Sequence, residues 1–265
     1  MCSKRGNKKI SMPTIINKDL RIDFNTLGSK EDFVIEENQE LNLAFNKVSG
    51  EHEIVIEVKD NSILHLSLLA DSSVKYLNFV ANLGLNSKLI VYYADFSLDL
   101  NKTSVSINLN KENAEVTWKL ASLSSKSDKK EIVVSVFHNA PSTFARVDNY
   151  GVAKDTSKLL FAGTSHILNG MVKSKTQQNA KIMVFDNDCI ATCKPILKID
   201  ENDIEASHAA AVGKISDDHI FYLTSRGLTL EESKMIITLG YLKPIFKGFN
   251  EEDVAYMNDI MGGRL

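Results

Sequence analysis

Residues 203–240 read Asp203-Ile-Glu-Ala-Ser207-His208-Ala-Ala-Ala-Val212-Gly213-Lys214-Ile215-Ser216-Asp217-Asp218-His219-Ile220-Phe221-Tyr222-Leu223-Thr-Ser-Arg226-Gly227-Leu228-Thr229-Leu-Glu-Glu232-Ser-Lys-Met235-Ile236-Ile-Thr-Leu239-Gly240, and here the chain changes character. Upstream it reads as short β-segments, downstream as helices. Ser216 is an N-cap candidate, and Asp217 and Asp218 set negative charge against the positive end of a helix dipole, so a helix is predicted from about Asp217. Gly227 supplies the left-handed conformation that ends a helix. Thr229 with Glu232 three residues on is a capping box that opens the next. Ile220, Leu223 and Leu228, then Met235, Ile236 and Leu239, recur at three-to-four spacing and predict one apolar groove. Beyond Pro244, Asn250-Glu-Glu-Asp starts a third helix carrying Val254, Met257 and Met261 and ending at Gly262-Gly263.

Working back from that point, alternation dominates. Val105, Ile107 and Leu109 are separated by Ser106 and Asn108, and Ala114, Val116, Trp118 and Leu120 by Glu115, Thr117 and Lys119. Such segments bury one face and wet the other. They recur through 41–204, with asparagines such as Asn61, Asn86, Asn101, Asn113 and Asn149 between apolar runs reading as turn residues. Many short strands predict a sandwich, a barrel or a solenoid. A tight hairpin signal of Asn-Gly or Asp-Gly type flanked by alternating strands is missing, which suits a solenoid, although no repeat of fixed period stands out. Residues 12–40 keep no period beyond a few residues and are expected to be irregular. Met1–Ser11, polar and basic, is expected to be a poorly ordered arm.

Composition narrows the function classes. The chain has 265 residues, is 43% hydrophobic, and sets 31 basic against 34 acidic residues for a net charge of −3. Nucleic-acid affinity needs a clustered basic footprint, and none exists beyond Lys4-Arg5 and Lys8-Lys9. No apolar run is long enough to span a bilayer or to act as a signal peptide, so a cytoplasmic protein without membrane partners is expected. The three cysteines, Cys2, Cys189 and Cys193, imply no disulfide framework. Neither a phosphate-cradling Gly-x-x-x-x-Gly-Lys loop nor a Gly-x-Ser-x-Gly elbow occurs. The expectation is a chain that is not an enzyme, with no catalytic triad or P-loop of its own.

The Ser207-His208-Ala-Ala-Ala-Val212-Gly213-Lys214-Ile215 run, followed by Asp-Asp-His-Ile-Phe221-Tyr222-Leu223-x-Ser225-Arg226-Gly227-Leu228 and Glu-Glu-Ser-Lys-Met-Ile236, resembles the C-terminal signature of the SufB/SufD family of iron–sulfur cluster assembly scaffolds, from about Thr192 to Gly240. That resemblance implies a right-handed parallel β-helix, an all-β solenoid core, with a small C-terminal α-helical domain. The division expected is 1–40 as arm and lead-in, 41–213 as β-helix core and 214–265 as helical domain. SufB is marked by a cysteine where this chain has Lys175-Thr-Gln-Gln-Asn-Ala180, and by a His-Glu pair where this chain has His208-Ala209. Both departures resemble SufD. The family's usual glycine after the histidine is Ala209 here, and the family's longer N-terminal helical region has no counterpart in the first 40 residues.

Each candidate residue carries two readings. His208 sits among small residues that leave its imidazole unshielded. It either closes the end of the β-stack or ligates metal, and the resemblance implies a place at a SufB–SufD seam that holds a nascent cluster. Cys189 and Cys193 are either two reduced thiols or half of a metal site that would need His166, His208 or His219 to complete it. Phe221, Tyr222 and Arg226 either pack the helices together, with Arg226 paired to Asp217 or Asp218, or anchor a partner. The resemblance implies that Gly227 and these three dock the SufC ATPase, an ABC-type subunit. By the same resemblance any iron–sulfur cluster is transient, lies at a subunit interface and is not bound tightly by this chain alone. The partner core is a SufB-like subunit or, in a homodimeric SufB/SufD-type scaffold, a second copy of the chain. A β-helix carbohydrate lyase or hydrolase is the rival from another class, and it would need paired carboxylates along a cleft, a pattern these strands lack.

Overall fold

Alternating side chains need a second row to bury against, and in this protein each strand finds it in the next strand of the chain. The computed structural model describes residues 12–264, so the arm expected at Met1–Ser11 lies outside the described residues. The strands are β1 (Thr14–Ile16), β2 (Leu20–Asp23), β3 (Lys30–Ile35), β4 (Glu40–Asn46), β5 (Gly50–Val58), β6 (Ile63–Ala70), β7 (Val74–Leu83) and β8 (Lys88–Asp95). They continue as β9 (Leu100–Leu109), β10 (Glu115–Ser124), β11 (Lys129–His138), β12 (Phe144–Ala153), β13 (Lys158–Ile167), β14 (Lys175–Val184), β15 (Ile190–Ile199) and β16 (Glu205–Lys214). Odd-numbered strands form one sheet and even-numbered strands the other, in sequence order. The strands pair in parallel throughout. The fold is therefore a parallel β-solenoid with a few C-terminal helices.

Registers explain why no fixed period shows in the sequence. Thr14 pairs with Phe33, a rung of 19 residues; Lys30 pairs with Glu53, a rung of 23; and Lys158 pairs with Ile190, a rung of 32. The strands themselves lengthen along the ladder, from three residues in β1 to ten in β13, with smaller changes in the turns. Asn61, Asn86 and Asn113 take the left-handed turn conformation, and each amide donates to the one below, Asn86 Nδ2 to Asn61 Oδ1 at 2.9 Å and Asn113 Nδ2 to Asn86 Oδ1 at 3.0 Å.

Several expectations are corrected. Residues 12–40 are not an irregular lead-in: β1, β2 and β3 join the two sheets in register, and Phe24, Phe33 and Ile35 are buried. Their strands are short, so too few alternations accumulate to be read. Asn101 and Asn149 are not turn residues but lie inside the solenoid, where Asn101 Nδ2 donates to the Tyr93 hydroxyl at 2.9 Å and Trp118 Nε1 donates to Asn149 Oδ1 at 3.2 Å. A buried amide is tolerated there because an aromatic N–H or O–H needs a partner.

The outer face of the even-numbered sheet is covered by α1 (Asp217–Thr224), α2 (Leu230–Leu242), a 3-10 helix (Lys243–Gly248) and α3 (Glu251–Gly262) to very different degrees. Leu242, Ile245, Met257 and Met261 form a second core with Leu69, Ala94, Ala121 and Val152 of that sheet. Gly248 permits this contact: a Cβ there would lie 2.1 Å from Cγ of Tyr92. Helix α3 is further pinned by Arg21 to Asp253 at 2.6 Å, by the Tyr256 hydroxyl to Asp71 at 2.9 Å, and by Arg264, which reaches Ser125, Asp128 and the Phe96 carbonyl. By contrast α1 buries no residue.

At the end of strand β11, the buried His138 gives a pH-dependent prediction. Its Nδ1 is 2.7 Å from Thr143 Oγ1, its Nε2 has no partner, and burial pushes its pKa down from 6.5 to about 4. Between those values the unfolded chain holds a proton that the folded chain rejects. The contribution is thus present above pH 6.5 and is lost as pH falls toward 4, an amount of about 3 kcal/mol. Urea unfolding at stepped pH should show this loss in the wild type and a flatter profile over that window in His138→Leu; parallel profiles would refute it.

Candidate functional site

Two features stand out at the C-terminal end of the solenoid: an uncovered last rung and an uncovered helix. Strands β15 and β16 are the terminal strands of their sheets among the described residues. All ten residues of β16 are exposed. His208 is the fourth residue of this strand. The Ala-rich stretch 206–211 carries little β-propensity of its own, and pairing with β14 decides its state.

Register fixes what His208 faces. Trp118 pairs with Val147, Val147 with Gln178 and Gln178 with His208, so the imidazole continues an interior column of the ladder and is exposed because the column stops there. Beneath it lies a polar floor that sequence reading missed. Ser165 Oγ accepts from Thr176 Oγ1 at 2.9 Å and from Gln178 Nε2 at 2.6 Å, and all three residues are buried. The signal was available as a run of Thr and Gln at alternating positions, 176 and 178, where aliphatic residues occupy the earlier rungs. A solvent-facing imidazole over such a floor can donate one nitrogen to a soft or borderline metal, and no side chain among the described residues is bonded to it.

Cys193 is also an interior residue of the last rung, paired in register with the buried Phe161. Burial pushes its thiol up to about 11, so at neutral pH it is protonated and a poor nucleophile or ligand. Cys189 lies in the preceding turn, its Sγ donating to the Asp186 carbonyl at 3.0 Å and the Ala153 carbonyl at 3.4 Å. The histidines considered as completing ligands are elsewhere. His166 is on the outer face of the odd-numbered sheet, bonded to Asp200 at 2.8 Å, and His219 is on α1. Among the described residues no group of three or more His, Cys, Asp or Glu side chains could hold a metal ion.

Helix α1 starts where local chemistry predicted, at Asp217, although the Ser216 hydroxyl makes no capping bond. The Thr229–Glu232 capping box is complete, with Thr229 Oγ1 accepting from the Glu232 amide at 3.1 Å and a Glu232 carboxylate oxygen from the Thr229 amide at 2.8 Å. Between the helices Gly227 has φ +93°, and no atom crowds its missing Cβ, so glycine is needed there for conformation and not for space. Phe221 is 72% exposed and Tyr222 57% exposed. They do not pack the helices together. Arg226 pairs with neither Asp217 nor Asp218 and lies over the Tyr222 ring, 5.0 Å from its centroid. The three side chains thus form one aromatic–cationic patch on solvent.

A groove of about 490 Å³ joins the two features. Met183, Ala211, Ile215, His219, Ile237 and Tyr241 line it, between α1, α2 and the outer faces of β14 and β16. Burial raises the Tyr241 phenol above its ordinary range, and Lys181 and Lys214 bring positive charge to the groove's edge. Displacement of α1 would therefore be felt at β16.

With this geometry in place, comparisons with known proteins agree on one group. A family model described as SUF system FeS cluster assembly, SufBD core domain, matches residues 30–241. The chain is similar to the iron–sulfur cluster assembly protein SufD of Bacillus subtilis, 29% identical over 116 residues that cover 44% of this chain and 26% of that protein. It is also 24% identical over 270 residues to an iron–sulfur cluster assembly SufBD family protein of Staphylococcus saprophyticus, covering 96% of this chain and 57% of the relative. A Staphylococcus epidermidis SufBD family protein is 24% identical over 150 residues, 57% of this chain and 32% of the relative. The matches thus span little more than half of these relatives at most. No described helix is long and apolar enough to cross a membrane.

Proposed function

Because this chain belongs to the SufBD family of SUF-system FeS cluster assembly proteins, we propose that it works as a SufD-like scaffold subunit, joining a SufB-like core through the open end of its solenoid and docking a SufC-type ATPase on α1. The observation that carries this reading is the pairing of an unburied helix bearing Phe221 and Tyr222, Arg226 lying just past its end, with an uncovered terminal rung bearing His208. Exposed aromatic and guanidinium side chains on a rigid helix are the residue types that dominate interface energetics. An unpaired strand edge of ten residues is a template for another strand, and a partner core that covers it removes an aggregation hazard.

The cargo is handled at that seam. His208 supplies one imidazole nitrogen, and the protonated Cys193 supplies no thiolate, so the remaining ligands of a nascent cluster come from the partner. Iron and sulfide are therefore held only while the two cores meet. The chain has no phosphate-binding loop, so the work of opening the seam comes from the ATPase. Force on α1 passes through the Tyr241 groove to β14 and β16, while α3 stays pinned to the first rungs.

Anaerobic co-expression with a SufB-type and a SufC-type subunit tests both halves. The wild-type chain is expected to co-purify with both, carrying iron and acid-labile sulfide. Phe221→Ala/Tyr222→Ala should lose the SufC-type subunit, with affinity down by about 100-fold or more, and keep the SufB-type core. His208→Ala should keep both subunits and lower iron and sulfide together. Failure of the wild type to co-purify with either subunit, or SufC binding indifferent to the aromatic pair, sinks the reading. A self-associated wild type that excludes the SufB-type core would favour the homodimeric scaffold instead.

A further inference from the structure

The outer face of the odd-numbered sheet, which none of the described helices cover, carries an ordered separation of charge. Its first rungs are acidic: Asp32 on β3 and Glu51, Glu53 and Glu57 on β5 point outward, against the single Lys30, which pairs with Glu53 at 2.5 Å. Its last rungs are mainly basic: Lys129, Lys158, Lys194 and Lys198 point outward from β11, β13 and β15, with Glu131 among them and Asp200, just past β15, beside His166 and Lys198. Each of these four lysines is without an ion pair among the described residues, and Lys129 and Lys158 stand side by side in register. Like charges stacked on neighbouring strands are unfavourable unless something neutralises them.

The register makes the arrangement more specific. Glu53, Asn78, Ser104, Val133, Ala162 and Lys194 form one outward column across the sheet. Two residues further along the strands Val55 leads to Ile196, and two further again Glu57 leads through Asn82, Asn108, Phe137 and His166 to Lys198. From β5 onward both columns run from a glutamate to a lysine; the first is preceded on β3 by Lys30, which pairs with Glu53, and the second passes His166, which bonds Asp200.

We propose that this face pairs with the same face of a second copy of the chain, about a two-fold axis running parallel to the strands. Such an axis reverses the order of the rungs and keeps each residue's height along its strand, so Glu53 meets Lys194 of the other copy and Glu57 meets Lys198, each contact occurring twice. An axis along the solenoid would set acid on acid and is excluded. Tyr76, Leu100, Ile190 and Ile196, all exposed on this face, supply the apolar contact. Ten-residue strands of ~33 Å, seven deep at ~4.8 Å, offer on the order of 1,000 Å² per copy, the size of a stable interface. This contact uses the outer face of β15 and not its open edge.

Sedimentation of the full chain at low and high salt tests it. The wild type is expected to be a dimer at low salt and to weaken at least about tenfold at high salt. Glu53→Lys/Glu57→Lys and Lys194→Glu/Lys198→Glu should each be monomeric, and an equimolar mixture of the two should re-form a dimer, since each then presents the charge the other lacks. Because Glu53 and Glu57 lie at the far end of the sheet from β15, association through the open end would not respond to their reversal. A wild type that stays monomeric at low salt, or a dimer unchanged by Glu53→Lys/Glu57→Lys, overturns the proposal.

Discussion

Gly163→Ala is expected to destabilise the protein by about 4 kcal/mol or more, enough to lower the thermal midpoint by roughly 10 °C. Gly163 faces the interior of β13, and a Cβ there would lie 1.9 Å from the Val134 carbonyl oxygen and 2.8 Å from its carbon. These are backbone atoms of the neighbouring strand, so no rotamer change relieves the contact. Strand β13 would have to move away from β11, and the ladder pairing, which already skips Val134 and Ser135, would break further. Gly213→Ala is the control: a Cβ there meets nothing within 4 Å, and its φ is not in the left-handed region, so its midpoint should stay near wild type. Thermal unfolding of the three proteins decides the matter; a Gly163→Ala midpoint close to that of Gly213→Ala would show that the rungs are softer than their spacing implies.

Lys130→Met should have an effect of similar size for an electrostatic reason. Lys130 and Asp95 are both fully buried, their charged atoms 3.1 Å apart. Lys130 Nζ also donates to the Leu123 carbonyl at 2.8 Å, and Asp95 accepts from the hydroxyls of Ser97 and Ser122, both at 2.5 Å. Burial opposes the Asp95 charge, but the Lys130 ammonium and the two serines outweigh it and hold the carboxyl below its ordinary range. Removing the ammonium leaves a buried anion without its counter-charge, which costs about 3–5 kcal/mol. The double variant Lys130→Met/Asp95→Leu, with no charge left to bury, should be at least about 2 kcal/mol more stable than the sum of the two single losses. A double-mutant cycle by denaturant unfolding reads this directly, and additive losses would count against a coupled pair.

The sequence by itself determined the local events. Alternation in 105–109 and 114–120 gave β9 and β10 because a strand's two faces differ in solvent exposure whatever lies opposite. Thr229 with Glu232 gave the start of α2, and Gly227 the end of the turn before it, because both act within four residues. The His208–Gly227 signature located the candidate site by resemblance, and the exposure of Phe221 and Tyr222 was legible as one of two readings.

What the tertiary structure alone decided is every long-range relation. Rungs that grow from 19 to 32 residues leave no fixed spacing from which to infer that Glu53 and Lys194 share a column. Asn149 reads as a turn residue although it lies in β12, because the inward positions of that strand include Asn149 and Gly151, whose place in a core depends on Trp118 one strand away and on the close approach of Leu159 and Phe161. Strand β16 is a strand because β14 offers it a ladder, and His208 is accessible because that ladder ends. Solvent exposure of one face is a local property and is written in the period of the chain; the identity of whatever covers the other face is a contact between residues far apart, and only the folded chain fixes it.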